Sequence, residues 1–126
     1  MRKRTVYISL PITDRDMEQQ RARAAELAER IREKGMEPVN PFDVARGVDA
    51  DMRGKGRRPT WYDYMGADIA SLLQCDAILL DTDANAAYGC CIELAVAQAI
   101  GRSKRKHFAI FHTREQWDDI YGKFII

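Results

Sequence analysis

Along the chain, apolar and polar positions follow two periods in turn. Thr5-Val-Tyr-Ile-Ser-Leu10 is short, β-branched and aromatic and is broken by Pro11, which predicts a buried first strand ending in a loop. Met17, Ala24, Leu27, Ala28 and Ile31 then recur at helical spacing until Gly35, so a long amphipathic helix is expected, capped by Thr13 or Asp14. Met36 to Val39 reads as a short second strand ended by Asn40-Pro41. From Phe42 to Pro59, Gly47, Gly54 and Gly56 are interspersed with Arg46, Arg53, Lys55, Arg57 and Arg58, which predicts a long, basic, mobile loop. Thr60 caps a helix from Trp61 to about Gln74. Cys75-Asp-Ala-Ile-Leu-Leu80 is an almost continuous apolar run, the mark of a strand covered on both faces. A helix from about Ala86 to Ile100 ends at Gly101, His107-Phe-Ala-Ile-Phe111 reads as a fourth strand, and a last helix is expected near Thr113 to Gly122.

Strand and helix alternate throughout. Right-handed crossovers then give an α/β fold, a three-layer, doubly wound sheet of four or five parallel strands, in a single domain over residues 1–126. In such sheets ligands bind beyond the carboxyl ends of the strands, here Leu10, Asn40, Asp81 and Phe111.

Composition narrows the partners. Twenty Lys and Arg against nineteen Asp and Glu leave a net charge of +1, so no sustained field draws the chain to a nucleic acid polymer or an anionic membrane. No apolar run approaches the ~20 residues that span a bilayer, and the apolar stretch after the basic start is too short for a signal peptide. Three cysteines, with Cys90 and Cys91 adjacent, make a poor disulfide framework and suit a reducing compartment, so a cytoplasmic location is expected. Two histidines, His107 and His112, leave little room for metal chemistry, and neither a metal nor a redox cofactor is expected.

The informative residues are carboxylates on apolar faces. In the segment from Ala86 to Ile100, Glu93 is the only ionisable carboxylate and shares a helical face with Ala86, Cys90, Ala97 and Ile100. Unpaired burial there costs several kcal/mol, so the charge is either compensated as an ion pair or rim residue, or used. Small neighbours such as Gly89 and Cys90 leave space beside it, and a place in the first two turns of its helix favours the ionised, nucleophilic form. Asp68 lies likewise on the stripe of Trp61, Met65 and Leu72, where it is either a pairing group for Arg57 or Arg58 or a second catalytic carboxylate. Two such groups near one crevice suggest acid and nucleophile at a sugar centre. Gly54-Lys-Gly-Arg-Arg58 lacks the spacing of a P-loop, no Gly-x-Gly-x-x-Gly opens a helix, and no Gly-x-Ser-x-Gly is present.

Several segments together resemble the nucleoside 2-deoxyribosyltransferase superfamily and, within it, the DUF4406 branch. They are Val6-Tyr-Ile-Ser-Leu-Pro-Ile-Thr13, Val39-Asn-Pro-Phe-Asp43, Tyr64-Met-Gly-Ala-Asp-Ile69 with Leu72 and Cys75-Asp-Ala-Ile78, and Tyr88-Gly-Cys-Cys-Ile-Glu-Leu-Ala95. The resemblance implies a flavodoxin-like fold acting on the N-glycosidic bond of a 2'-deoxynucleoside or its monophosphate. It places Glu93 as the nucleophile that holds the sugar as a covalent ester, Asp68 as the residue that bonds the nucleobase and handles its proton, and Tyr7 as the aromatic that orients the nucleophile. It also implies that Ser9, Pro11, Asn40, Phe42, Asp43 and Gly89 line the site. Where transferases carry Asp and monophosphate hydrolases carry Ser, six residues before the nucleophile, this chain has Ala87. That departure motivates an alternative, a non-catalytic nucleotide-binding or sensing module. Phe124-Ile-Ile126 does not match the aromatic-polar tail with which superfamily transferases reach a neighbouring subunit, and a homodimer or higher homo-oligomer is expected.

Overall fold

A computed structural model describes residues 2–12, 15–81, 88–103, 108–114 and 119–121. Its elements run β1 (Thr5–Ser9), α1 (Met17–Glu33), β2 (Glu37–Val39), α2 (Pro41–Gly54), α3 (Trp61–Leu73), β3 (Ala77–Leu80), α4 (Tyr88–Gly101), β4 (Ala109–Arg114) and β5 (Asp119–Tyr121). The sheet order is β2-β1-β3-β4-β5, in which the first four strands are mutually parallel and β5 pairs antiparallel to β4. This is the flavodoxin-like α/β architecture, with the chain reversing direction of travel at β1 and β3.

The two-residue period of β1 sorts its side chains onto two different cores. Val6 and Ile8, with Leu10 just beyond, pack against Ala24, Leu27, Ala28 and Ile31 of α1. Tyr7 faces the other way, into the layer that holds Leu72 of α3 and Cys90 and Ala97 of α4. Strand β3 splits likewise, with Ala77 and Leu79 on the first face and Ile78 and Leu80 on the second. Both faces of β1 and β3 are therefore covered, as their apolar runs predict.

Two expectations are overturned. The stretch expected as a basic loop is mostly helix: Asn40 caps α2 by accepting from the Phe42 N–H, Pro41 occupies the first turn, and Phe42, Val48 and Met52 are buried along one side. Gly47 and Gly54 lie inside this helix, and only Gly56, at φ +70°, follows its cap in the left-handed region, as Gly35 does at φ +80° after α1. In its described residues the expected final helix is strand instead: β4 runs on to Arg114, past its pairing with β3, and β5 lies antiparallel to it, His112 opposite Tyr121. One boundary also moves, since Asp16 caps α1 through the Gln19 N–H; Thr13, Asp14 and His107 lie outside the described residues. Thr60 caps α3 as expected, completing a capping box with Asp63. Among the described residues, no helix is long and apolar enough to cross a membrane.

At the carboxyl end of β3 the layers are tied by charge. Arg23 of α1 makes a bidentate contact to Asp81, at 3.0 and 2.9 Å, and the Thr113 hydroxyl of β4 donates to the same carboxylate at 2.8 Å. The Asp81 side chain is only 8% exposed, so removing the guanidinium leaves a buried charge undercompensated. Arg23→Ala should lower stability by about 2 kcal/mol, read from the midpoint of urea unfolding. An unchanged midpoint would show that the pair does not tie the layers.

Candidate functional site

The site begins with the face of β1 that carries Tyr7 and Ser9. Both side chains are wholly buried, and each carries a hydroxyl that must find an acceptor. They find the same one. The Tyr7 hydroxyl donates to Glu93 Oε2 at 2.6 Å and the Ser9 hydroxyl donates to Glu93 Oε1 at 2.8 Å, so each carboxylate oxygen is held by its own donor. Glu93 projects from the second turn of α4, one turn from Cys90 and from Ala97, and is 5% exposed.

Burial and the two hydroxyls act in opposite senses on this acid. Desolvation pushes the Glu93 carboxyl above its ordinary range, while the bonds from Tyr7 and Ser9 favour the charged form. Tyr7 itself is driven upward, by burial first and by the Glu93 charge next, and stays a neutral donor. Asp68 of α3 completes the group: burial, then the Glu93 charge, push it up to about 7 against a hydrogen bond with Tyr7 that favours its ionised form. Glu93 is thus held by one hydroxyl on each oxygen, and Asp68 beside it keeps a proton towards neutral pH. Cys90, pushed up to about 11 by burial, is a thiol there and not a competing nucleophile.

Glu93, Asp68 and Tyr7 share the wall of one cavity of about 1040 Å³ beyond the carboxyl ends of the strands, together with Pro11, Phe42 and Gly89. Of the remaining expected site residues, Ser9 serves through its bond to Glu93. Asn40 is used as the cap of α2, and Asp43 pairs with Arg46; neither lines the cavity. Ala87 lies outside the described residues. Neither Arg57 nor Arg58 lines the cavity, and Arg57 pairs with Asp63 at 3.6 Å.

The cavity also recruits residues that no single segment announces. Arg15, Arg21 and Arg46 line it, as does Asp49, which accepts a hydrogen bond from the Tyr64 hydroxyl. Once α2 is a helix, Phe42, Arg46 and Asp49 are spaced i, i+4 and i+7 and share a side, which was the available signal. Trp61 and Met65 supply apolar wall from α3. Among the described residues, no group of three His, Cys, Asp or Glu could hold a metal ion.

Fold and site together define an α/β protein with an open, mixed apolar and polar cavity at the strand ends and two carboxylates of unequal acidity in its wall. The chain belongs to the family described as "Domain of unknown function (DUF4406)", whose model matches residues 4–103. A search of curated proteins finds no match.

The raised pKa of Asp68 has a thermodynamic consequence. Its folded-state value lies above the ordinary 3.8, so folding takes up a proton between about pH 4 and 7, and the wild type loses this stabilisation as pH rises through that window. Asn is neutral throughout. Asp68→Asn should therefore match or slightly trail wild type at pH 4 and exceed it by roughly 1–2 kcal/mol at pH 8, measured by denaturant unfolding at both values. An advantage independent of pH would contradict a protonated Asp68.

Proposed function

We propose that the protein cleaves or transfers at the N-glycosidic bond of a 2'-deoxynucleoside or its monophosphate, as a nucleoside 2-deoxyribosyltransferase-like enzyme. The observation that carries this reading is the buried Glu93 carboxylate, clamped by Tyr7 and Ser9 in a cavity wall beside a carboxyl that titrates near 7. The resemblance of the four sequence segments to that superfamily supports the same roles.

In this reading Glu93 attacks the anomeric carbon, forming a carbon–oxygen ester bond as the carbon–nitrogen bond breaks. The electron pair of the broken bond leaves on the base, which Asp68 protonates. Water, or a second base, then displaces the ester with net retention of configuration, and its proton returns to Asp68. Tyr7 and Ser9 orient the carboxylate and spread its charge, and as Glu93 is consumed by bonding, their donors stay in place on its oxygens. Phe42, Trp61 and Met65 provide the apolar surfaces against which a base would pack.

The assay incubates the protein with deoxynucleosides plus a free base, and separately with deoxynucleoside monophosphates, and follows new nucleoside or free sugar. Glu93→Ala should lose about 10³-fold or more in kcat/KM. Absence of turnover for every substrate, or full activity in Glu93→Ala, would sink the proposal.

Activity should also fall as pH rises above about 7, because the proton on Asp68 is lost there. Tyr7→Phe should move the acidic limb upward, since Glu93 loses a donor that favours its charged form. A pH profile that does not change in Tyr7→Phe would remove the residue from this role.

A further inference from the structure

The cations of the cavity come from different elements than its two catalytic carboxylates. Arg15 lies in the loop after β1, Arg21 on α1 and Arg46 on α2, whereas Asp68 and Glu93 project from α3 and α4. Each guanidinium presents a planar fork that matches phosphate oxygens. The Arg21 guanidinium carbon sits over the Phe42 ring, 5.5 Å from its centroid, and Phe42 is itself anchored by the Asn40 cap. Arg46 pairs with Asp43 on the exposed side of α2, a solvent-screened contact that a dianion can readily displace. Asp49, on the same helix and the same cavity, is engaged by the Tyr64 hydroxyl.

Three arginines and three carboxylates, Asp49, Asp68 and Glu93, line this cavity on a chain whose net charge is +1. With no general attraction to polyanions, guanidinium groups lining a cavity suit a small anion held inside it. With the anomeric carbon of a bound sugar at Glu93 and the base toward Asp68, the 5' substituent is the part of the ligand left to face them.

We propose that Arg15, Arg21 and Arg46 form a subsite for a phosphate group, so that the ligand of this cavity is a nucleoside 5'-monophosphate and not a free nucleoside. This inference rests on the reaction proposed above. A triphosphate is disfavoured because no P-loop or Gly-x-Gly-x-x-Gly cradle is present in the sequence.

Calorimetry on Glu93→Gln, which keeps the cavity but lacks the nucleophile, compares a deoxynucleoside 5'-monophosphate with the same deoxynucleoside and with inorganic phosphate. The monophosphate should bind at least about tenfold more tightly than the nucleoside, and inorganic phosphate should compete with it. That gap should shrink in both Arg21→Ala and Arg46→Ala, while Arg58→Ala, outside the cavity, keeps it. Equal affinity for nucleoside and monophosphate, or a gap that survives Arg21→Ala and Arg46→Ala combined, overturns the subsite. The two proposals fail separately. Selective monophosphate binding without wild-type turnover removes the chemistry and supports the subsite; turnover of nucleoside and monophosphate with equal kcat/KM keeps the chemistry and overturns the subsite.

Discussion

Placing the Glu93 carboxylate inside the protein is the constraint around which the rest is arranged. A carboxylate taken from water costs several kcal/mol unless its oxygens are given donors, and here two buried hydroxyls supply one to each oxygen. Those donors exist because β1 alternates: Val6, Ile8 and Leu10 build the core under α1, which turns Tyr7 and Ser9 toward α4. The same strand therefore stabilises the fold with one set of side chains and sets the site with the other. The charge of Glu93 then acts on its neighbour, helping burial to keep Asp68 protonated toward neutral pH.

Architecture and chemistry meet at the strand ends. The Arg23, Asp81 and Thr113 cluster ties α1 to β3 and β4 there, and Asp81 also donates its backbone N–H to the Ser9 carbonyl at 3.0 Å. That bond fixes the backbone of one of the two residues that hold Glu93. Rigidity at the cavity floor is what two short hydrogen bonds to a single carboxylate need, since a small displacement of β1 against α4 would break one of them.

Much of this is legible in the amino-acid sequence. A lone glutamate in an otherwise apolar helix and an aspartate on the stripe of Trp61, Met65 and Leu72 are anomalies that periodicity alone exposes, and both lie in the cavity wall. Parallel topology followed from apolar strands separated by helices. Helix α2 was hidden because its glycines and arginines suggest a loop by content, whereas Phe42, Ala45, Val48 and Met52 keep a helical period and Asn40-Pro41 supplies a start. The antiparallel pairing of β4 and β5 was hidden because Thr113 resembles a helix cap, although its hydroxyl is committed to Asp81. Arg15, Arg21 and Arg46 belong to three different elements, and only their packing brings them to one cavity. Asn40 shows the converse, a polar residue near the mouth whose side chain is committed to capping a helix.

The proposed role of Glu93 is that of a nucleophile and not merely of a buried, satisfied acid. Its most direct measurement is mass spectrometry of protein acid-quenched during incubation with a deoxynucleoside 5'-monophosphate, followed by peptide mapping. A sugar ester is expected on the peptide that contains Glu93, absent from Glu93→Gln. Turnover with the sugar carried on a different residue would contradict it.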